Sequence, residues 1–302
     1  MQIAIFGLGK MGMQIAKRLH TAKFEVLAWN RSEGPRLDFK KFGGQSFASL
    51  DELSGKLCEK PRIFWLMLPH ITVEDFLFSQ TLLGGVLRKG DIVIDGGNSF
   101  YKDSVKRAEG LRANGVEFYD CGVSGGVWGE KNGFALMVGG DKKNWEKIEP
   151  IFKVLSSGDN YGLVGANGAG HFVKMVHNGI EYGMMEAIGE GYGILQASEF
   201  KLDLNQVTKI YQQGTVIRSW LIDLVKNIFE TKEISSTKGE IMASGEGEWT
   251  VNTAKELGLD VRVIEDALKV RQESLDPKTH QKFSNKIVAL LRKQFGGHGV
   301  VK

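Results

Sequence analysis

Short apolar runs alternate with amphipathic stretches over the first part of the chain. The apolar runs that predict strands cover residues 2–6, 25–29, 62–68, 92–95, 117–120, 135–138 and 161–164. The first is followed by apolar residues at helical spacing, namely Ile15, Ala16 and Leu19. Strands that alternate with helices predict an α/β fold with a doubly wound, mainly parallel sheet.

The pattern changes after a glycine-rich segment at residues 165–170. Long helical stretches follow, such as 172–197 and 261–270, and no run there favours a strand. We therefore expect a domain of the Rossmann type over residues 1–168 and an all-α domain over residues 169–302. Because ligand pockets form preferentially between domains, we expect the site in the crevice between them.

Composition and charge narrow the class of protein. The chain has 302 residues with a net charge of +3, which produces no large field of one sign and does not favour a nucleic acid or a membrane as partner. Cys58 and Cys121 lack a second Cys or a His at metal-ligand spacing. The chain also lacks a signal-peptide pattern and a membrane-length apolar run. We expect a soluble, cytoplasmic protein without a metal site.

A glycine-rich turn follows the first predicted strand and opens the first predicted helix. It reads Gly7-Leu8-Gly9-Lys-Met11-Gly12, the dinucleotide-binding fingerprint in its required context. Gly7 permits the tight turn, Gly9 lets the backbone reach the pyrophosphate, and Gly12 lets helix and strand pack closely. A glycine-rich turn without a ligand is the alternative.

The end of the second predicted strand indicates which dinucleotide binds. An NAD enzyme usually carries an acidic residue here, whereas this chain reads Asn30-Arg31-Ser32. Arg31 would bind a 2′-phosphate that an acidic residue would repel. The sequence predicts a preference for NADP, with NAD as the alternative if Arg31 is only a solvated cation.

The helical stretch after residue 168 carries four polar residues at i, i+3, i+4 and i+7, which places them on one face. They are Lys174, His177, Asn178 and Glu181. A solvated salt-bridge stripe is the alternative for such spacing. A buried lysine can act as a general base and a nearby carboxyl as an acid, so a start in the expected crevice favours catalysis.

Two polar loops follow predicted strands of the sheet. One comprises residues 95–99 with Asn98, and the other comprises residues 121–126 with Ser124, Gly125 and Gly126. The carboxyl ends of strands in α/β sheets are where ligands bind. Their amides and hydroxyls suit a polyhydroxy or carboxylate substrate, although each loop alone could be only a turn.

Three segments, residues 94–99, 122–126 and 170–182, resemble the decarboxylating 6-phosphogluconate dehydrogenases of the β-hydroxyacid dehydrogenase superfamily. The third is long and specific. The likeness runs from Gly7 to the tail at His298, and the chain looks like the short-chain form of that family.

The resemblance implies oxidation and decarboxylation of 6-phospho-D-gluconate to D-ribulose 5-phosphate and CO₂ with reduction of NADP, a step of the pentose phosphate pathway. It makes Lys174 the general base at the C3 hydroxyl and Glu181 the acid that protonates the enediol, with no metal. It assigns the substrate's carboxylate and hydroxyls to Asn98, Ser124, Gly125, Gly126, His177 and Asn178.

The resemblance also implies the remaining contacts. It assigns the substrate phosphate to Tyr182, Arg271, Arg292 and His298. It adds Met67, Leu68, Pro69 and Asn98 to the cofactor site. In the family the tail reaches a neighbouring subunit's site, so we expect a homodimer or homotetramer.

The chain departs from the long-chain enzymes at one important segment. Residues 244–250 carry Glu246 and Glu248 where those enzymes have a Lys and a Thr before a Trp-Thr pair. This change argues against a strict preference for a phosphorylated substrate.

Two alternatives to a decarboxylating 6-phosphogluconate dehydrogenase stay open. One is a non-decarboxylating enzyme similar to 3-hydroxyisobutyrate dehydrogenase, and the other is a nucleotide-binding protein without activity.

Overall fold

A computed structural model describes residues 1–231, 233–243 and 245–302, and its first part contains one eight-stranded sheet. The strands are β1 (Gln2–Phe6), β2 (Glu25–Trp29), β3 (Gln45–Phe47), β4 (Ile63–Leu66), β5 (Ile92–Asp95), β6 (Glu117–Ser124), β7 (Phe134–Gly139) and β8 (Ser156–Gly165). Their spatial order is β3-β2-β1-β4-β5-β6-β7-β8. Neighbours pair in parallel except β6 with β7, which confirms the predicted fold class.

The helices of the first part lie between the strands. They are α1 (Lys10–Thr21), α2 (Glu33–Lys41), α3 (Leu50–Lys56), α4 (His70–Phe78), α5 (Leu83–Val86), α6 (Tyr101–Ala113), α7 (Gly129–Asn132) and α8 (Trp145–Leu155). The helices that follow are α9 (Ala169–Ala197), α10 (Leu204–Tyr211), α11 (Trp220–Thr231), α12 (Glu246–Glu256), α13 (Arg262–Glu273) and α14 (Phe283–Gly296). Within the described residues after 176 no strand occurs, in agreement with the predicted all-α part.

The chain forms two compact units, residues 1–175 and 176–302, and α9 begins in the first and ends in the second. In the first unit, alternate residues of β1 enter two cores, with Ile3 and Ile5 on one face of the sheet and Ala4 and Phe6 on the other. Both faces are covered by helices, so the strands read as continuous apolar runs. The core of the second unit is formed by apolar residues of α9, α11 and α14.

The sequence missed two strand features. It did not predict β3, because three residues are too few to show an alternating pattern. It also started the last strand at residue 161, whereas β8 begins at Ser156 with an exposed polar half. Pairing with β7, which the sequence pattern does not report, extends this strand.

In the described ranges, none of the helices has both the length and the apolar character that a membrane span requires.

Candidate active site

The glycine-rich turn after β1 has the geometry that a dinucleotide requires. Gly7 has φ +97°, and a Cβ there would collide with the Met67 carbonyl oxygen. A Cβ on Gly12 would collide with the Gly7 carbonyl oxygen. Gly9 is exposed at the N-cap of α1, with open space where its Cβ would be. The turn and the N-terminus of α1 therefore fit a diphosphate.

The loop after β2 is fixed by hydrogen bonds and leaves one cation in solvent. The Leu8 amide donates to Asn30 Oδ1 at 2.9 Å, and Asn30 Nδ2 donates to the Ser32 carbonyl at 3.1 Å. Arg36, which the sequence reasoning missed, donates from Nη1 to the carbonyls of Asn30 and Arg31 at 2.7 and 3.1 Å. The Arg31 side chain is exposed to solvent.

The loops after β4 and β5 lie beside the glycine-rich turn. The Met67 amide donates to the Phe6 carbonyl at 2.8 Å, and a Cβ on Gly97 would lie 2.7 Å from the Leu68 carbonyl oxygen. Met67 and Met11 are half-buried against one core of the sheet, and Pro69 is the N-cap of α4. The structure thus brings most of the predicted cofactor residues to the carboxyl edge of the sheet.

A buried ionic cluster supports the loop that carries Asn98. Asp95 Oδ2 accepts hydrogen bonds from Ser99 Oγ at 2.8 Å and from Arg107 Nη1 at 3.3 Å. The Gly97 amide donates to Asp95 Oδ1 at 3.1 Å. Asn98 is exposed above this cluster. Because paired buried charges hold their loop in one arrangement, Asn98 has a fixed backbone.

A second buried cluster, which the sequence reasoning missed, holds the start of α9. Asp120 accepts from the backbone amides of Gly168 and His171 at 2.5 and 2.8 Å. Burial raises the pKa of Asp120, and His171 opposes this shift. His171 Nε2 lies 3.0 Å from the Gly97 carbonyl, which can only accept, and Nδ1 lies 2.7 Å from Ser104 Oγ. His171 therefore ties the first turn of α9 to the Asn98 loop.

The start of α9 lies directly against β6. Lys174 is half-buried, and a Cβ on Gly122 would collide with its side chain. The strand continues to Ser124, and Gly125 and Gly126 follow with φ +142° and +54°. This close approach places Lys174 beside the strand that carries the predicted substrate residue Ser124.

The polar face of α9 continues into the second unit. His177 Nδ1 lies 3.1 Å from Asn178 Oδ1 and 3.8 Å from Glu181 Oε2. The His177 and Glu181 side chains are 38% and 23% exposed, so both remain accessible to a ligand. These positions follow Lys174 at the predicted helical spacing.

A buried arginine cluster in the second unit contains three of the four predicted phosphate residues. The Arg271 guanidinium carbon lies 3.1 Å from the centroid of the Tyr182 ring, and its Nε lies 3.8 Å from Glu186 Oε1. Burial lowers the pKa of Arg271 and of Arg292, which makes an anionic partner favourable. Glu186 was not predicted, because in the sequence it is one of several acidic residues of α9.

Residues 245–250, in the segment where the chain departs from the long-chain enzymes, form the N-cap and the start of α12. Glu246 is buried there and Glu248 is exposed, while Ser244 lies outside the described residues. Glu246 is close enough to Arg292 to favour its charged form.

The tail after α14 contacts its own unit. The His298 ring meets Phe295 edge-on at 6.3 Å, and the Lys238 amide donates to the Val301 carbonyl at 2.8 Å. The contact of His298 with a neighbouring subunit's substrate stays a prediction.

Comparison with known proteins places both units in one family. Residues 2–166 match the NAD binding domain of 6-phosphogluconate dehydrogenase, and residues 170–297 match the 6-phosphogluconate dehydrogenase C-terminal domain. The compact units divide later, between residues 175 and 176, and the domain boundary at 168 stays a prediction.

Several relatives are similar over most of this chain. A Bacillus subtilis protein with the provisional name 6-phosphogluconate dehydrogenase is 40% identical, with all of both chains covered. An NAD(+)-dependent, decarboxylating 6-phosphogluconate dehydrogenase of Haloferax volcanii is 36% identical, covering 100% of this chain and 99% of that one. The human decarboxylating enzyme is 34% identical over 98% of this chain, which spans 64% of its length.

A solved structure agrees with these matches. The Plasmodium falciparum 6-phosphogluconate dehydrogenase, determined in its apo form and with NADP+ or 6-phosphogluconate, has a TM-score of 0.84 at 28% identity, over 92% of this chain and 63% of its own. With both units matched to consecutive domains of one enzyme family, the chain belongs to the 6-phosphogluconate dehydrogenase family and carries an NAD(P)-binding Rossmann domain.

Proposed function

We propose that this protein oxidises and decarboxylates 6-phospho-D-gluconate to D-ribulose 5-phosphate and CO₂, with NADP as its preferred cofactor. The observation that carries this proposal is the polar face of α9, on which Lys174, His177 and Glu181 follow one another at helical spacing. Non-decarboxylating relatives of the wider superfamily have no use for an acid such as Glu181.

The first step removes a hydride from C3 of the substrate and a proton from the hydroxyl group on C3. The nicotinamide supplies the hydride acceptor. Lys174, which lies beside β6, acts as the general base and takes the proton of the C3 hydroxyl. The product of this step is a β-keto acid with a protonated Lys174.

The second step breaks the bond between the carboxylate and the sugar chain. The Lys174 ammonium donates a hydrogen bond to the new C3 ketone and draws the electrons of the breaking bond toward it. CO₂ leaves, and Glu181 donates its proton to C1 of the resulting enediol. His177, 3.8 Å from Glu181, orients that carboxyl.

The other contacts orient the substrate. We assign its carboxylate and hydroxyls to Asn98, Ser124, Gly125, Gly126, His177 and Asn178. We assign the phosphate to Tyr182, Arg271 and Arg292, where buried guanidinium groups supply charge and forked donors, and to His298 of a neighbouring copy.

We further propose a homodimer or homotetramer. A stripe of exposed residues on α9 supports assembly: Ile180, Met184, Ala187 and Ile194 project from one face, and we call them the α9 stripe.

Cys58 and Cys121 are both free thiols, which fits the reducing cytoplasm that we propose for this reaction.

Replacing Lys174 with methionine tests the proposed chemistry. The wild-type protein should reduce NADP in the presence of 6-phosphogluconate and release CO₂ in equal amount, measured by absorbance of the reduced nicotinamide and by trapped CO₂. Lys174→Met should lower kcat at least about 100-fold, since general acid–base groups contribute about 10²–10⁴-fold. Lys209→Met, at an exposed position of α10, should keep wild-type activity.

Other outcomes would reject the proposal in different ways. Reduction without CO₂ would assign the protein to the non-decarboxylating dehydrogenases. Full activity in Lys174→Met would remove the lysine from the mechanism. Lack of reduction with NADP and with NAD would contradict the proposed substrate.

A further inference from the structure

The buried arginine cluster contains polar atoms that no described residue satisfies. Arg271 Nε and Nη2, the Tyr182 hydroxyl and Glu186 Oε1 each lack a hydrogen-bond partner within the described part of the chain. Arg271 is 1% exposed, and the other two residues are also buried. Because buried polar groups in proteins are nearly always paired, the unsatisfied donors indicate a place for an anionic ligand.

The first turn of α12 contributes to the same place. Gly247 packs so closely on Tyr182 that a Cβ would lie 2.5 Å from a carbon of the ring. The first turn of this eleven-residue helix, where partial positive charge concentrates, therefore lies beside the Tyr182 ring of the cluster. Two guanidinium groups, a hydroxyl and a helix N-terminus are donors suited to a phosphoryl group.

Two buried carboxyl groups oppose these donors. Glu186 faces Arg271 of α13, Arg292 of α14 and Glu190 of its own helix, while Glu246 faces Arg292 from α12. With all four ionised, the two arginines and the two buried glutamates have no net charge. A phosphate monoester carries about −1.5 to −2 charges near neutral pH. A phosphate monoester bound to the Arg271 guanidinium would be repelled by the Glu186 carboxylate, which lies beside the same guanidinium.

We propose that protonation of Glu186 controls the binding of a phosphorylated substrate at the buried arginine cluster. The phosphoryl group binds at Arg271 while the Glu186 carboxyl is protonated. Binding therefore takes up one proton from solvent. The inference rests on the proposed function. A protonated carboxyl donates a hydrogen bond to a phosphoryl oxygen, whereas a carboxylate can only repel it. Proton uptake leaves both arginines available to the dianion.

The environment of Glu186 makes this proton accessible near neutral pH. Burial raises the pKa of Glu186 to about 7, with Arg271 opposing the shift, Glu190 adding to it and Arg292 opposing it. Below this pH the Glu186 carboxyl is mostly protonated, and the buried arginine cluster can bind the phosphate dianion without repulsion from a carboxylate. Above it, the protonated fraction falls about tenfold per pH unit, and the apparent affinity for the phosphoryl group falls in proportion.

Calorimetry on the intact protein tests the proposal without turnover. 6-Phosphogluconate is titrated into the protein without cofactor, between pH 7.5 and 9, in buffers of different ionisation enthalpy. At these pH values the phosphate is itself fully ionised, so a proton taken up on binding enters a protein group. We expect uptake close to one proton and a Kd that rises about tenfold from pH 8 to 9.

Two variants identify the group that takes up the proton. Glu186→Gln should bind 6-phosphogluconate with no proton uptake and with a Kd independent of pH over this range. Glu230→Gln removes a carboxylate at an exposed position of α11, away from the cluster, and should behave as the wild type. Unphosphorylated D-gluconate should bind the wild type without proton uptake.

The outcomes separate this inference from the proposed function. Binding of 6-phosphogluconate to the wild type without proton uptake, or the same uptake in Glu186→Gln, would overturn the role of Glu186 and leave the dehydrogenase activity in place. Absence of both binding and turnover with 6-phosphogluconate would overturn the proposed function and this inference together. The wild-type titration decides the question even if the glutamine variant is unstable.

Discussion

Arg31 is the residue on which the proposed preference for NADP depends most directly. Its backbone is fixed because Arg36 and Asn30 hold the loop after β2, while its side chain extends into solvent. A guanidinium in this position can form charge-assisted hydrogen bonds to a 2′-phosphate. The NAD(+)-dependent Haloferax relative shows that the family also contains enzymes for the other cofactor.

Arg31→Asp should reverse any preference for NADP. Loss of hydrogen bonds to a charged group costs about 1.5–3 kcal/mol, so the KM for NADP should rise about 10- to 100-fold while the KM for NAD changes little. Initial rates with each cofactor measure this. Lys40→Asp, an exposed charge reversal on α2, controls for the change in net charge. Equal effects on both cofactors would show that Arg31 does not contact the 2′-phosphate.

At the scale of elements, the contact between β6 and α9 positions Lys174, the general base that we propose. Gly122 has no side chain, and the Lys174 side chain and the Gly170 carbonyl occupy the space where its Cβ would lie. The hydrogen bonds of Asp120 to the first turn of α9 fix the same end of the helix. The start of α9 therefore packs against β6 because Gly122 has no side chain, and the hydrogen bonds to the buried Asp120 carboxyl hold it there.

Gly122→Ala should push the start of α9 away from β6. Overpacking of this kind costs about 1–3 kcal/mol, and we expect a lower Tm together with a kcat reduced more strongly than the KM for the cofactor. Thermal unfolding and steady-state kinetics measure the two effects. Gly162→Ala in β8 is a matched control, because nothing lies within 4 Å of the Cβ that it would add. Unchanged kcat in Gly122→Ala would mean that Lys174 tolerates the displacement.

At the scale of the whole molecule, the α9 stripe is an apolar face without a described partner in its own unit. Ile180, Met184 and Ile194 are 53%, 43% and 73% exposed. Contiguous exposed apolar side chains are typical of protein–protein interfaces. A second copy of this chain is the partner that the proposed oligomer supplies.

Light scattering coupled to size-exclusion chromatography should give a mass of two or four times 33.4 kDa for the wild type. Ile194→Glu should shift the population toward the monomer, because a charge in an apolar interface is costly to bury. Ile71→Glu, at a position of α4 that is 78% exposed, should leave the mass unchanged. A wild-type protein that is monomeric at micromolar concentration would contradict the proposed assembly.

The sequence by itself determined the fold class and the bounds of several strands. β1, β2 and β5 begin and end where the pattern predicted, because strands buried on both faces must be apolar throughout. The turn at Gly7 to Gly12 and the polar face of α9 were also readable, since both depend on local spacing along the chain.

Only the tertiary structure revealed which charged residues are buried together. Glu186 reads in the sequence as one acidic residue of a helix, and its meeting with Arg271 depends on how α9 and α13 pack. The same holds for Asp120 and His171, which are 51 residues apart and joined by a buried hydrogen bond. Local patterns report burial and helical faces, whereas pairing between distant residues arises only when the elements pack, and the pKa of a buried group depends on that pairing.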